Sequence, residues 1–248
     1  MTRLLLVVLS LALLGAGCLG AEGKRAQTLL QDAEQALSGA RSLHYEVDLT
    51  AKGAGVSGVV RLEGAAKRVA DGSYDHVLQV SADEGGAQAF SGEFVVRGGQ
   101  AWVRTGGRWV PAGSPGAPSA AGLEQLGPDA LAELAPYIED VSVEEGQVVN
   151  GRPSAVVTCR IDTAGLVRKA VDSGGAAAVA GFGPMLDQVL DGVGDLDAVL
   201  VLDEGTHMLR AARLTLDLEP QGQKVEIGVS LRVTGVDQPV AIPDIPGS

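Results

Sequence analysis

The sequence predicts an α+β protein built on a single curved antiparallel sheet of about 10–11 strands, with helices packed against one face. Two observations support this prediction. Short segments in which apolar and polar residues alternate recur along the chain and are separated by turn residues, as is typical of half-buried strands. Helical periodicity is confined to a leading segment and two central stretches, which is too little to cover both faces of a sheet.

The N-terminal residues 1–17 have the pattern of a secretory signal peptide. Arg3 precedes an uncharged apolar segment, 4–16, that is shorter than the roughly 20 residues a membrane-spanning helix needs. The ending LLGAGC resembles the lipobox of bacterial lipoproteins, in which the cysteine sulfur receives a diacylglyceryl group and the peptide is cut just before it. This implies a palmitate-type lipid anchor at Cys18. It divides the chain into a signal peptide (1–17), a lipidated tether (18–23) and one domain (24–248).

Two other interpretations of the N-terminus stay open. Gly15 departs from the usual lipobox, which has a large apolar residue three places before the cysteine. A plain signal peptide with a coincidental cysteine is one alternative. A cytosolic protein with a buried N-terminal helix is the other, and the lack of polar periodicity in 4–16 disfavours it.

Charge and cysteine content exclude several classes of function. The formal net charge is −12 at pH 7, so the chain is a poor nucleic-acid binder and is not attracted to an anionic membrane surface. Any membrane residence must therefore come from the lipid. Cys159 alternates in phase with Val157 and Ile161, which predicts a small buried side chain in a strand. With Cys18 lipidated it has no partner for a disulfide.

The first half of the domain begins with a helix and continues in strands. One apolar stripe predicts an amphipathic helix over 24–41, with Gly39 near its end. Five or six strands follow up to Pro111, and in the first of them alternate residues are apolar. These alternate residues are Leu43, Tyr45, Val47 and Leu49. In a later strand His76 falls in the apolar phase.

The second half repeats this plan after a central break. A loop rich in Pro, Gly, Ser and Ala is predicted over 111–122, followed by a helix over 123–134. Strands resume over 139–162, where Asn150-Gly151 predicts a type I′ hairpin. One or two short helices are predicted within 163–193. A three-stranded meander over 196–236 and an extended proline-rich tail then complete the domain.

This order of elements resembles a known group of lipoproteins. The resemblance is carried by AWVRTGGRWVPA, LDAVLVLDEGTHMLRAARLTLDL and VTGVDQPVAIPDIP, together with the lipobox and the two strand-rich halves. The group is the mycobacterial lipoprotein family often labelled LppX/LprA/LprF/LprG, which is related in fold to the carriers LolA and LolB. The resemblance implies a half-open β-barrel whose concave face is covered by helices and whose apolar cavity holds acyl chains of lipids or lipoglycans.

The residues themselves are compatible with such a cavity. Aromatic residues make up 3% of the chain, and a core of branched and small side chains can leave room between sheet and helices. The alternative is that Leu and Val side chains simply fill the barrel. If a cavity exists, its predicted lining comes from the first strand and from the covering helices. These residues are Leu43, Tyr45, Val47, Leu49, Leu131, Leu134, Leu186 and Val189.

Patterns that would indicate catalysis or metal binding are weak. None of the three histidines, His44, His76 and His207, is paired with another His or Cys at metal-ligand spacing. The chain has no nucleophile-elbow motif, and the GFG sequence at 181–183 lacks the Lys-Ser/Thr of a phosphate-binding loop. We therefore expect no catalytic residue, no metal and no cofactor.

The sequence thus predicts a non-enzymatic lipoprotein of the bacterial cell envelope that binds or transfers lipid acyl chains. The lipid on Cys18 would hold it on the outer side of the cytoplasmic membrane, or on the outer membrane in a host that has one. Its expected partners are lipid or lipoglycan acyl chains and an envelope transport partner. The alternatives are an envelope sensor or protein-interaction module on the same fold, and a secreted hydrolase whose catalytic residues come together only in the folded chain.

Overall fold

The computed structural model describes residues 21–53, 55–70, 73–85, 87–98, 100–112, 138–163, 165, 193–219 and 222–245. Cys18, the helix predicted over 123–134 and nearly all of the segment 163–193 lie outside these residues. The predictions made for them stay predictions.

The described residues form one helix and eleven strands. The helix α1 (Ala21–Gly39) begins three residues earlier than the sequence predicts. The strands are β1 (Ser42–Gly53), β2 (Val56–Arg68), β3 (Tyr74–Glu84), β4 (Ala87–Arg97), β5 (Gln100–Thr105), β6 (Arg108–Pro111), β7 (Ile138–Val149), β8 (Arg152–Ile161), β9 (Val193–Asp203), β10 (Leu209–Leu218) and β11 (Val225–Val236).

All eleven strands belong to one antiparallel sheet, in the order β6-β5-β4-β3-β2-β1-β11-β10-β9-β8-β7. The predicted single antiparallel sheet of about 10–11 strands is therefore confirmed. Within the described residues the sheet is not closed, and β6 and β7 are its two edges. The pairing of β1 with β11 joins the two halves of the chain at the centre of the sheet.

One turn confirms the hairpin predicted from the sequence, and a second turn has the same geometry. Asn150 and Gly151 have φ values of 53° and 76°, as the type I′ turn between β7 and β8 requires. Gly106 and Gly107, with φ values of 57° and 77°, form a comparable turn between β5 and β6.

The sheet has one apolar and one polar face over most of its width. In β1 the residues Leu43, Tyr45 and Val47 point to the face on which α1 packs, which we call the helix face. Glu46 and Asp48, in the alternate phase of the same strand, point to the opposite face. This alternation is the pattern predicted for β1, and the cross-strand registers carry it into the neighbouring strands.

The helix α1 crosses the strands rather than running along them. Near its N-terminus Arg25 forms an ion pair with Glu145 of β7. Beyond its C-terminus the Tyr74 hydroxyl of β3 donates to the Ala40 carbonyl at 2.6 Å. A helix of 19 residues is about 28 Å long, which is comparable to the spread of strands between these two contacts.

This placement covers only one end of the sheet. The Nδ1 atom of His207, in the turn between β9 and β10, lies 3.0 Å from the Asp32 carboxylate of α1. We call this the closed end. The opposite end, which contains the turns between β1 and β2 and between β10 and β11, is called the open end.

The main core lies between α1 and the closed end of the sheet. Leu30 and Leu37 of α1 are fully buried against β1 and against strands from both halves of the chain. The strand residues in this core include Leu43, Tyr45, Val47, Ala66, Leu78, Ala155, Val157, Leu200, Leu202, Leu209, Ala212 and Leu231. Each large side chain removed from water here contributes about 1.5–3 kcal/mol to folding.

A smaller apolar cluster holds the C-terminal tail on the opposite face. Ile242 and Ile245 pack on Val95 and Trp102 of neighbouring strands. The Arg97 guanidinium donates to the Pro243 carbonyl at 3.3 Å and lies 3.4 Å from the Asp75 carboxylate. The tail lacks regular secondary structure, as predicted, but it is packed rather than free.

The glycine at position 64 leaves room for an aromatic ring. A Cβ atom on Gly64 would lie 2.5 Å from Cε2 of Tyr45 and 2.8 Å from Cδ2 of Leu78. The Tyr45 ring therefore occupies the space of the missing side chain, a common use of glycine in sheets. Gly58 of the same strand is different, because its nearest atom would be the Asp83 carbonyl oxygen at 3.7 Å.

We predict that Gly64→Ala lowers the free energy of unfolding by about 1–3 kcal/mol, because the added methyl group overpacks the core against Tyr45. The control is Gly58→Ala in the same strand, which should change stability by no more than about 0.5–1 kcal/mol, in the stabilising direction. Urea unfolding of the two variants measures both values. Equal effects of the two substitutions would contradict this account of Gly64.

A second prediction concerns acid stability. The Tyr45 hydroxyl lies 3.2 Å from Nδ1 of His76, and burial lowers the pKa of His76 from 6.5 to about 3. Between pH 3 and pH 6.5, His76 is therefore protonated in the unfolded chain and neutral in the folded chain. Stability from this group is complete above pH 6.5 and is lost as the pH falls toward 3, by up to about 1.4 kcal/mol per pH unit.

The substitution His76→Asn tests this prediction, because Asn retains an acceptor for the Tyr45 hydroxyl but does not titrate. Urea unfolding at pH 7 and pH 5 should show a smaller loss of stability in the variant than in the unsubstituted protein. The same loss in both proteins would rule out His76 as a source of the acid sensitivity.

Candidate functional site

Apolar side chains continue along the helix face beyond α1, into the open end. Leu49 is 37% exposed, although it follows Val47 in the apolar phase of β1. Around it lie half-buried aliphatic side chains from the neighbouring strands. We call this set the open apolar surface, and it consists of Leu49, Val60, Leu214, Leu216, Ile227 and Val229.

The strand registers make this surface continuous. Leu49 is paired with Val60 of β2 on one side and with Val229 of β11 on the other. On β10, Leu214 is paired with Val229 and Leu216 with Ile227. Four adjacent strands at about 4.8 Å spacing place these side chains side by side over roughly 15 Å.

The helix face carries no charge in the three strands at the centre of this surface. Every position of β1, β10 and β11 that points to the helix face in the paired registers is aliphatic, glycine or tyrosine. Such a surface has no groups that would hold a charged ligand. It can stabilise a hydrocarbon chain by about 0.8 kcal/mol for each methylene removed from water.

The structure separates the predicted lining residues of β1 into two groups. Leu43, Tyr45 and Val47 are at most 1% exposed and lie in the core beneath α1. Leu49 alone belongs to the open apolar surface. The other predicted lining residues lie outside the described part of the chain: Leu131, Leu134, Leu186 and Val189. The predicted cavity between sheet and covering helices stays a prediction.

Sequence reasoning missed most of the open apolar surface. Val60, Leu214 and Ile227 belong to segments in which apolar and polar residues alternate, but the position of Leu214 and Ile227 near Leu49 depends on the pairing of β1 with β11. This pairing joins segments about 180 residues apart, and no local pattern indicates it. The sequence does hold one indication of them. The apolar alternation in β1, β10 and β11 continues over more residues than one helix lying across the strands can cover.

The opposite face of the same strands is charged and internally paired. The Arg61 guanidinium lies 2.9 Å from the Asp83 carboxylate, and that of Arg232 lies 3.0 Å from Glu46. Shallow grooves of about 410 and 430 Å³ on this face are lined mainly by polar and charged side chains, and a third of about 320 Å³ is lined by polar and aliphatic side chains together. The two faces of the sheet thus offer opposite chemistry.

Among the described residues, no three His, Cys, Asp or Glu side chains are grouped closely enough to bind a metal ion. Cys159 is buried in β8, as predicted, and burial raises the pKa of its thiol to about 11. A thiol of this kind is a poor nucleophile at neutral pH. Within the same residues, no helix is both long and apolar enough to span a bilayer.

No protein-family model and no curated protein matches this chain. Among solved structures it is similar to LprF from Mycobacterium bovis, with a TM-score of 0.51 and 18% identity over 91% of this chain and 99% of that one. It is also similar to the Mycobacterium tuberculosis lipoprotein LppX, with a TM-score of 0.47 and 17% identity over 87% of this chain and 97% of that one.

The likeness extends more weakly to MucB in the MucA/MucB complex of Pseudomonas aeruginosa, with a TM-score of 0.39, 15% identity and coverage of 88% of this chain and 58% of that one. At 18% identity, the likeness to LprF establishes the fold and nothing beyond it. The resemblance to the LppX/LprF group is therefore confirmed for the architecture: an open, mostly antiparallel sheet with a helix on one face.

Proposed function

We propose that this protein is a lipid-anchored lipoprotein of the bacterial cell envelope that binds or transfers lipid acyl chains without catalysing a reaction. The observation that supports this most directly is the open apolar surface. Leu49 and its neighbours remain accessible on the helix face, where β1, β10 and β11 present no charged side chain. An acyl chain needs no polar partner, so it matches a surface of this kind.

The path of the chain supports the same proposal. Ile138 of β7, Ile161 of β8 and Leu196 of β9 form a continuous row at the open end. The segment 166–192 connects β8 to β9 next to this row, and the segment 113–137, which follows β6 at the other edge, reaches the sheet at this row through β7. We propose that Leu131, Leu134, Leu186 and Val189, in those segments, complete the lining of the acyl-chain site.

The anchor proposal rests on the N-terminal sequence and on the position of α1. Cys18 lies three residues before Ala21, the first residue of α1, so the lipid would be at most about 11 Å from the helix. An ion pair between Arg25 and Glu145 fixes the N-terminal part of this helix to β7. The sheet would therefore be held close to the membrane that supplies its ligand.

A crosslinking experiment tests acyl-chain binding. The anchored protein in phosphatidylcholine vesicles is exposed to a fatty acid that carries a photoactivatable diazirine in its chain, and the labelled peptides are mapped by mass spectrometry. We expect labels on the strand segments around Leu49, Leu214 and Ile227. Leu49→Glu should lower the yield about tenfold, because burying a carboxylate beneath a hydrocarbon chain is strongly unfavourable.

The matched control is Val148→Glu. Val148 is 71% exposed on β7, at the closed end and away from the open apolar surface. This variant should label as the unsubstituted protein does, and both variants should retain nearly the full free energy of unfolding. Labels confined to the outside of the sheet, or equal losses in the two variants, would contradict acyl-chain binding at the open apolar surface.

Thiol counting tests the anchor. In denaturant, protein purified from membranes should contain one reactive thiol per chain, that of Cys159, because a lipidated Cys18 carries a thioether. The folded protein should react slowly, since burial raises the pKa of the Cys159 thiol to about 11. Cys159→Ser should then contain no reactive thiol even in denaturant. Two thiols per unsubstituted chain would contradict lipidation of Cys18.

A further inference from the structure

We infer that the polar face of the sheet carries a second binding site, a groove around Arg213 that takes an extended peptide segment of a partner protein. The segment would carry one carboxylate next to an aliphatic side chain. This inference goes beyond the proposed function, because it concerns the face opposite the open apolar surface. It comes from the shape of that face, from its aliphatic part and from the charge of Arg213.

The groove exists because the side chains of β11 on the polar face are small. Gly228 lies between threonines of β10 and β1 in the paired registers, and Ser230 lies between Arg213 and Asp48. The longer side chains on the two outer strands form the walls of a groove of about 410 Å³. A groove of about 320 Å³ adjoins it and shares Arg213, Asp48 and Ser230 with it.

The smaller groove has an aliphatic part. Val199 and Val201 of β9 and Ala211 of β10 line it, and all three side chains are half-buried. Val199 is paired in register with Arg213, so the aliphatic surface lies directly beside the guanidinium. Asn150 lines the same groove, and its amide can both donate and accept hydrogen bonds. An aliphatic group placed here would be removed from water next to polar partners.

The carboxylates that line the two grooves face other cations. The Glu46 carboxylate lies 3.0 Å from the Arg232 guanidinium. The Asp48 carboxylate lies 3.7 Å from a guanidinium of β2. At the far end of the larger groove, Glu226 lies opposite Lys52 in the paired register. The acidic residues of the grooves therefore do not depend on Arg213 for a counter-charge.

Arg213 itself forms no ion pair among the described residues, although it is exposed in a chain with 31 acidic residues. Other arginines on the polar face each have a carboxylate partner: Arg61, Arg97, Arg104, Arg160 and Arg232. A guanidinium presents parallel N–H groups that match the two oxygens of a carboxylate. The groove thus offers one anion position beside an aliphatic surface.

An extended peptide matches the size of this site. The two grooves together cross β9, β10, β11 and β1, which at about 4.8 Å per strand is roughly 15 Å. Four or five residues of extended chain have this length. The net charge of −12 disfavours a strongly acidic segment, so a single Asp or Glu next to Val, Ile or Leu is the best match.

Peptide binding is measured by fluorescence anisotropy with the full-length lipoprotein in a neutral detergent. The probes are two fluorescent octapeptides, one with a single Glu flanked by Val and one with Gln in place of the Glu. At physiological salt the Debye length is about 8 Å, so distant carboxylates of the protein are screened while a contact with Arg213 is not. We expect the Glu peptide to bind about fivefold more tightly than the Gln peptide.

Substitutions assign this difference to the groove. Arg213→Gln should remove the preference, because the two peptides then meet the same uncharged side chain. Val201→Thr should weaken both peptides about threefold, since it places a hydroxyl group in the aliphatic part. The matched control is Arg104→Gln, which removes one positive charge from the same face outside both grooves and should leave both affinities unchanged.

Equal affinity of the two peptides for the unsubstituted protein, or equal effects of Arg213→Gln and Arg104→Gln, would overturn the peptide site. Without discrimination between the peptides, Arg213-dependent binding to phosphatidylglycerol vesicles or Arg213-dependent self-association would overturn it in favour of an anionic lipid surface or a second copy. Acyl-chain labelling at the open apolar surface should be the same in Arg213→Gln as in the unsubstituted protein. Failure of the peptide site and failure of the proposed function are therefore read separately.

Discussion

The pairing of β1 with β11 is the interaction on which the rest of the structure depends. It runs from Leu43–Val236 to Gly53–Val225, with one irregularity after His44, and joins the strands that precede and follow all the others in the chain. Without it the two halves would be separate meanders, each with an apolar face and little to cover it. With it, one helix can pack across strands from both halves and bury a common core.

The same pairing explains why the open apolar surface lies where it does. A single helix of 19 residues lies across the strands at one end and cannot cover strands of ten to thirteen residues along their full length. The apolar alternation nevertheless continues to the other end, through Leu49, Val229 and Leu214. The candidate site is therefore the part of the core face that α1 does not reach, and its hydrocarbon character follows from being part of that face.

Most of the fold could be predicted from the sequence because its signals are local. The alternation in β1, the Asn150-Gly151 turn and the stripe on α1 each depend on a few adjacent residues. The split between Val47, which is buried, and Leu49, which is exposed, could not be predicted, because both belong to one strand and one phase. It is set by where α1 crosses the sheet, and that depends on the packing of Leu30 and Leu37 against strands from both halves of the chain.

The edges of the sheet have a consequence for a protein tethered to a surface. The outer strand β7 is interrupted by register shifts between Glu139 and Ser142 and between Glu144 and Gln147, where Asp140 and Gly146 adopt positive φ. The other edge, β6, is four residues long and ends in Pro111. Copies anchored in one membrane would collide far more often than copies in solution. Long, regular edge strands would then let them pair edge to edge into extended sheets. In the anchored carrier proposed above, the interruptions would keep neighbouring copies separate, so that each could exchange a lipid.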